Sequence, residues 1–440
     1  MNRRSFLSTT AVPAAIAAPY FDPENRVRGA NDRIQLGLIG CGGRGRYVGG
    51  FMKETPNTHF TALADVSMML ANRAKEWSGQ KDARVFQDFR KLLELKDVDA
   101  VLVATPDHWH CLATIHSVEA GKDVYTEKPF SHNIKEGRAM VTAAEKSGRI
   151  VCAGTQQRSA DHFPVVAKMI QDGAIGKVSY VRVWNFINRW PEGVGKLKVG
   201  PPPSDLDWDM YCGPAPLVPY APQKHIATYR WFFDYSGGWI TDYGAHRFDT
   251  VHQIMGVDAP VAVSASGGRF NLKDDSDIPD VLQVTYDYPE FVMTYEAVLT
   301  NGHGLGGRQA GMRYYNARGE MDRPNGMAFY GTLGTIFADR IGYEVYPEKG
   351  GPERVWKNTT DATRVHAQHF VDCVRTRKTP RATALIGHRS NIVPLLGNIA
   401  YKTKLKLRWD EAKETFIGAP KEAHMLLGRK ARKPWDRVTV

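Results

Sequence analysis

The 440-residue sequence predicts an α/β protein, with a doubly wound parallel sheet first and an α+β domain of longer strands after it. Three observations predict this. Short, wholly apolar runs alternate with helical patterns from residue 31 to about 155, the first run closes on "GCGGRG", and beyond residue 177 the strands alternate apolar with polar residues. Runs buried on both faces and joined by helices imply right-handed βαβ crossovers and a parallel sheet. Alternation implies a sheet packed on one face and solvated on the other.

In chain order, "IQLGLIG" (34–40) reads as a buried strand closed by glycine, followed by a helix over "CGGRGRYVGGFMK". "FTALADV" (60–66) is a second strand and "MMLANRAKEWS" (68–78) a second helix, followed by the short "RVFQDF". "DAVLVATP" (99–106) is a strand leading into a helix from about His108 to Ala120. "DVYTEKP" (123–129) and "IVCAGTQ" (150–156) frame a helix ending at Gly148. In the second domain "KVSYVRVWNF" (177–186), "VAVSASGGRF" (261–270), "VLQVTYDY" (281–288) and "VMTYEAVL" (292–299) are strands. A Pro-rich loop (201–222) and a Gly-rich insert (301–326) interrupt them, and loops of that length commonly close over ligands. The resulting division is an export signal and linker at 1–30, the first domain at 31–155, the second at 156–385, and a helical segment with a basic tail at 386–440.

The turn "GCGGRG" is a G-x-G-x-x-G in the setting it needs, after a buried strand and opening a helix. Gly40 permits the tight turn, Gly42 allows a pyrophosphate close to the backbone, and Gly45 lets helix and strand pack. Cys41 lies within this loop and Arg44 adds a charge for the phosphates. Asp65, twenty residues past the last glycine, accepts from the adenosine ribose hydroxyls and favours NAD over a 2′-phosphorylated cofactor. These features define a Rossmann dinucleotide-binding domain. Ligands in such sheets lie at the carboxyl ends of the strands. Thr105, Pro106 and His110 of "TPDHWH", Glu127 and Lys128 of "TEKPF", and Gln156 of "GTQQR" are therefore expected along the cofactor.

The stretch "SGGWITDYGAHRFD" places Asp242 and His246 four residues apart, on one helical face. A metal site needs further converging ligands, and His225 and His252 have no motif placing them, so no metal is expected. Two readings remain on spacing alone. In one, Asp242 or Thr241 caps a helix running to Met255 and stopped by Gly256, with Phe248, Val251 and Met255 buried. In the other, Asp242 and His246 act in catalysis.

Taken together and in order, "GCGGRG", "ATPDHWHCLATIHSVEAGKDVYTEKPF" and "GGWITDYGAHRFD" resemble the Gfo/Idh/MocA family of oxidoreductases. The likeness continues through "GTLGTIFAD" (331–339) and "HAQHFVDCVRTRKTP" (366–380). The resemblance implies an open, mostly antiparallel second sheet with helices on one side, whose exposed face forms a homo-oligomer contact. It also implies that Lys128, Asp242 and His246 surround the reacting carbon of a carbohydrate substrate. The chemistry suits them: histidine is a base near neutral pH, Asp242 or Asp249 can orient it, and Lys128 can hydrogen-bond a developing alkoxide and relay a proton. Arg158, Trp231 and Tyr243 are expected at the sugar, with Tyr235 as a further stacking surface.

Three functions follow: an NAD-dependent dehydrogenase acting on a secondary hydroxyl of a sugar, glycoside or cyclitol; a glycosidase that recycles bound NAD; and a non-catalytic sugar-binding protein. The second matches the secreted branch that the resemblance brings in, which includes glycosidases of the α-N-acetylgalactosaminidase type. The N-terminus "MNRRSFLSTTAVPAAIAAPY" matches a twin-arginine export signal, with Arg3 and Arg4 and a cleavage site ending at Ala17 or Ala18. It is too short and weakly apolar for a membrane span, so a periplasmic or secreted protein is expected. Five scattered cysteines without a CxxC pair argue against a disulfide framework. The net charge is +11, and the last forty residues hold 11 basic against 5 acidic side chains. No nucleic-acid-reading module accompanies that charge, which is read as solvated surface or subunit contact.

Overall fold

The computed structural model describes residues 33–304, 324–351 and 354–436. The segment expected to be an export signal and most of the Gly-rich insert lie outside the described residues. The first sheet contains β1 (Ile34–Ile39), β2 (Thr58–Ala64), β3 (Arg84–Phe86), β4 (Ala100–Val103), β5 (Asp123–Glu127) and β6 (Val151–Gly154). Their order is β3-β2-β1-β4-β5-β6, and every pairing is parallel. Between the strands lie α1 (Gly43–Lys53), α2 (Met68–Ser78), α3 (Phe89–Leu93), α4 (His110–Glu119) and α5 (Ile134–Ser147). Local chemistry sets their ends. Ser67 and Asn133 cap α2 and α5 through their side chains, and left-handed Gly79 and Gly148 stop them. The strand reversal between β1 and β4, where a doubly wound sheet binds its ligand, puts the glycine turn beside the Thr105–Pro106 turn.

After α6 (His162–Gln171) and β7 (Val178–Asn188) the chain makes a long excursion containing α7 (Trp208–Cys212). The expected single helix from Asp242 to Met255 is divided into α8 (Trp239–Asp242) and α9 (Gly244–Met255). Asp242 is the last residue of α8 and caps nothing; Thr241 hydrogen-bonds back to Gly238 O at 3.0 Å. Phe248, Val251 and Ile254 are fully buried, whereas Met255 is only half-buried.

The second sheet is completed by β8 (Ala262–Gly268), β9 (Val281–Asp287), β10 (Val292–Val298), β11 (Thr300–Asn301), β12 (Asn325–Gly331), β13 (Gly334–Ala338), β14 (Gly342–Pro347) and β15 (Arg354–Lys357), and by a late hairpin, β16 (Leu407–Asp410) and β17 (Thr415–Ile417). It is antiparallel throughout except for β7 and β10, which run parallel at the centre. The four strands expected here all form.

The C-terminal helices α10 (Ala362–Thr376) and α11 (Ala384–Thr403) bind the domains together. Phe370 and Val371 of α10 join the core of the first domain, while Ile392, Leu396 and Ile399 of α11 join that of the second. Beyond the short α12 (Lys421–Met425) two arginines of the basic tail are held by the protein, while Lys430 and Lys433 are exposed as solvated surface. Arg429 pairs with Glu136 at 2.7 Å, Arg432 with Asp209 at 2.9 Å, and Trp435 packs edge-on to Trp109. All five cysteines are free and buried. Among the described residues no helix is long and apolar enough to cross a membrane, and no cluster of His, Cys, Asp and Glu could hold a metal ion.

Candidate active site

A cavity of about 310 Å³ opens along the carboxyl ends of the first sheet. The glycine turn forms its floor. Gly40 has φ +90°, and a Cβ there would sit 2.6 Å from the backbone of Ala104. A Cβ at Gly45 would lie 2.3 Å from Gly40 O, so helix and strand close only around glycine. Gly42 and Gly43, by contrast, face open space, with nothing within 4 Å of an added Cβ. No side chain caps α1 and no acidic residue occupies its first turn. Its free N–H groups and positive end therefore fit a dinucleotide's pyrophosphate.

One end of the cleft holds Asp65. Its Oδ2 accepts from Cys41 N at 2.7 Å and its Oδ1 from Ser67 N at 2.9 Å. Burial pushes its carboxyl up to about 6, against the pull of those two bonds. The Pro-rich excursion lies over this end as a strap. Leu206 bridges to Ser67, and Asp207 N donates to Val66 O at 2.9 Å. Trp109 Nε1 donates to Met210 O and Tyr211 O at 3.1 and 3.0 Å. Met210, Tyr211, His225 and Ile226 of the strap line the cavity.

At the other end, Lys128 Nζ donates to Asp242 Oδ1 at 2.5 Å and to Asp242 O at 2.7 Å. Arg230 Nε lies 2.9 Å from Asp242 Oδ2, so both carboxylate oxygens are held by cations. Burial alone would raise the Asp242 carboxyl, but Lys128, Arg230 and Arg340 bring it down to about 2. An ammonium carries three hydrogens, and Lys128 spends two on Asp242. Tyr229 OH donates to buried Asp107, which also accepts from Ser236. Neither Arg230 nor Tyr229 is singled out by sequence; Arg230 stands between two aromatics in "YRWFFDYSGG", with no spacing rule to mark it.

Of the residues expected at the site, Gly40, Gly42, Arg44, Thr105, Pro106, Glu127, Lys128 and Asp242 also line this one cavity. Arg44, expected at the phosphates, reaches Glu127 at 3.0 Å. Other expectations are corrected. Cys41 is fully buried and contributes only its backbone N–H, to Asp65. His110 is buried behind the wall, its ring nitrogens on Pro129 O and Thr105 O at 2.7 and 2.9 Å. Gln156 stands behind Glu127, donating to it and to Tyr125 OH at 2.8 Å each. Arg158 is held by fully buried Asp249 at 2.8 Å. That bond places Asp249 on Arg158 rather than on the His246 ring. Trp231 and Tyr243 are core residues, each stacked on Trp239, at 5.6 and 4.1 Å, and Tyr235 is fully buried. His246 lies one turn beyond Asp242, outside the cavity lining and 6% exposed, with Nδ1 lacking a hydrogen-bond partner.

The fold and cleft define a two-domain, NAD-binding oxidoreductase. The family model for the oxidoreductase family, NAD-binding Rossmann fold, matches residues 34–155, and that for its C-terminal alpha/beta domain matches 163–296 and 352–437. The chain belongs to the Gfo/Idh/MocA oxidoreductase family, and it is an enzyme that uses NAD. It is 23% identical to the scyllo-inositol 2-dehydrogenase (NAD(+)) of Bacillus subtilis, over 80% of this chain and 89% of that one. It is 29% identical to a glycosyl hydrolase family 109 protein of Saccharopolyspora erythraea, over only 34% of either. The aldose-aldose oxidoreductase of Caulobacter crescentus shares its fold, with a TM-score of 0.63 at 18% identity, covering 86% of this chain and 99% of that one.

Proposed function

We propose that the protein oxidises or reduces a secondary hydroxyl of a sugar, glycoside or cyclitol. The observation that carries this reading is the Lys128–Asp242–Arg230 assembly at the end of the dinucleotide cleft away from Asp65. Bound NAD supplies the hydride acceptor or donor. In the oxidative direction the hydroxyl proton passes to His246 as the carbinol hydride leaves. Burial, followed by the charges of Arg340, Lys128, Arg44 and Arg247, holds that imidazole well below its usual range, so it stands neutral with a lone pair free, and the same surroundings weaken it as a base until substrate charge offsets them. The third hydrogen of Lys128 donates to the oxygen as charge develops there. Held in place by Asp242, Lys128 then passes a proton along in either direction.

A second reading is favoured by the strap. A cofactor covered at its adenosine end exchanges slowly, which suits a glycosidase that oxidises, eliminates, hydrates and reduces back on one retained NAD. The partial similarity to a family 109 glycosyl hydrolase is consistent with this. We also infer export to the periplasm or beyond by the twin-arginine route, and homo-oligomerisation through the open face of the second sheet. On that face, Tyr180 stacks on Tyr330 and Arg182 pairs with Glu296.

The test is to release and quantify nucleotide from purified protein, then incubate the protein with a glycoside panel without added NAD. Aglycone release without net NADH supports the recycling glycosidase. Stoichiometric NADH with an oxidised sugar supports the dehydrogenase. If His246→Ala and Lys128→Ala leave turnover intact, the site assignment is wrong.

A further inference from the structure

The positive end of α2 is occupied by a carboxylate from the other domain. The helix has no acidic residue in its own first turn. Instead Asp205, on the strap, accepts through Oδ2 from Ser67 Oγ at 2.6 Å and from Met69 N at 3.2 Å, while Asp205 O accepts from Met68 N at 3.0 Å. Gln87 Nε2 ties the segment further, donating to Asp205 O at 3.3 Å and Val66 O at 3.0 Å. Two residues upstream of Ser67, Asp65 lines the cleft, its two oxygens bonded to Cys41 N and Ser67 N.

In this fold the acidic residue after β2 meets the ribose 2′-hydroxyl. A phosphate on that hydroxyl extends past Asp65 to the next donors, the Ser67 hydroxyl and the first N–H groups of α2. Those donors already hold an anion. We propose that Asp205 is a cofactor-specificity residue, filling with its own carboxylate the seat a 2′-phosphate would take and so excluding NADP(H). The charge of Asp205 is felt at Asp65 and adds to the repulsion such a phosphate meets. Cofactor choice is thus set jointly by both domains. This inference rests on reading Asp65 as the ribose-binding residue.

The experiment titrates nucleotide-free, full-length protein with NADH and NADPH, following nicotinamide fluorescence. Asp205→Asn removes the charge but keeps an acceptor oxygen for the strap; Asp205→Ala empties the seat. Both variants should bind NADPH at least about ten-fold more tightly than wild type, with NADH within about three-fold, and the gain should shrink as salt rises. NADPH affinity unchanged in both variants sinks the proposal. So does an equal loss of both nucleotides, which would make Asp205 a strap tie only. Asp65→Ala is the separate control: if it leaves NADH binding intact, the reading of Asp65 fails, whatever Asp205 does.

Discussion

At the scale of single residues, two carboxylates in one cleft are driven in opposite directions, with opposite consequences for stability. Asp242 is held at about 2, below its ordinary 3.8, so its pairing stabilises the fold above pH 4 and is lost as pH falls toward 2. Asp65 is raised from 3.8 to about 6, so the folded state holds its proton more tightly than the unfolded chain does. Stability from Asp65 is present below pH 4 and is lost as pH rises through 6, on the order of 3 kcal/mol by neutrality. Denaturant titrations of apoprotein should therefore show the wild type losing ground to Asp65→Ala between pH 4 and 7; parallel curves would remove the buried charge from the account. Arg230 gives the second residue-scale prediction. Arg230→Gln frees one oxygen of Asp242, loosens the hold on Lys128, and should cost roughly ten- to a hundred-fold in turnover, against the 10²–10⁴ expected for Lys128→Ala. The acid limb of the rate profile should also move to higher pH, and Arg230→Lys should restore part of the rate. Lys128 and Asp242 are legible in the sequence because each lies in a short ordered signature. Arg230 is not, because its role depends on an excursion that brings it onto Asp242 only in three dimensions.

At the scale of elements, the glycine turn separates glycines required by the fold from those required by the ligand. Gly45 sits where a Cβ would meet Gly40 O at 2.3 Å, a backbone atom that cannot move aside. Gly45→Ala should destabilise the apoprotein by about 1–3 kcal/mol through overpacking, and weaken NAD binding with it. Gly42 faces empty space. Gly42→Ala should leave apoprotein melting within about a degree of wild type and still lower NAD affinity by ten-fold or more, because the added methyl stands where the pyrophosphate approaches. Thermal melts with and without NAD distinguish the two; equal melting losses for both variants would contradict this division. The turn was readable because strand, glycines and helix follow one another within a dozen residues. The division at Tyr243 was not, because α8 and α9 continue one apolar pattern and only the geometry around Asp242 separates them. Among the residues expected at the substrate or cofactor, Trp231, Tyr235, Tyr243, His110, Gln156 and Arg158 are instead held in the core or on other protein groups, for a related reason. Aromatic rings and buried polar side chains serve packing and satisfied hydrogen bonds as readily as they serve ligands.

At the scale of the whole molecule, the cofactor cleft belongs to both domains. The parallel sheet, the glycine turn and the alternating strands of the second domain can be read from local periodicity. The strap cannot, since it lies more than a hundred residues from the Ser67 and Trp109 it covers. The strap makes NAD release a property of the domain pair. Gly213 marks where it can be loosened: the residue has φ +48°, and a Cβ there would lie 2.2 Å from the Trp109 ring. Gly213→Ala must push the strap away from Trp109, whose indole otherwise holds Met210 O and Tyr211 O. The expected outcome is an NAD dissociation rate at least about ten-fold higher, measured by displacement of bound NADH with excess NAD. A retained ligand stabilises in proportion to the logarithm of its saturation, about 4 kcal/mol at a thousand times Kd. The same variant should therefore lose most of the NAD-dependent rise in melting temperature while the strands and helices around Gly42 stay folded. A release rate equal to wild type would mean the strap merely rests over the adenosine end, and retention of NAD would have to come from the first domain alone.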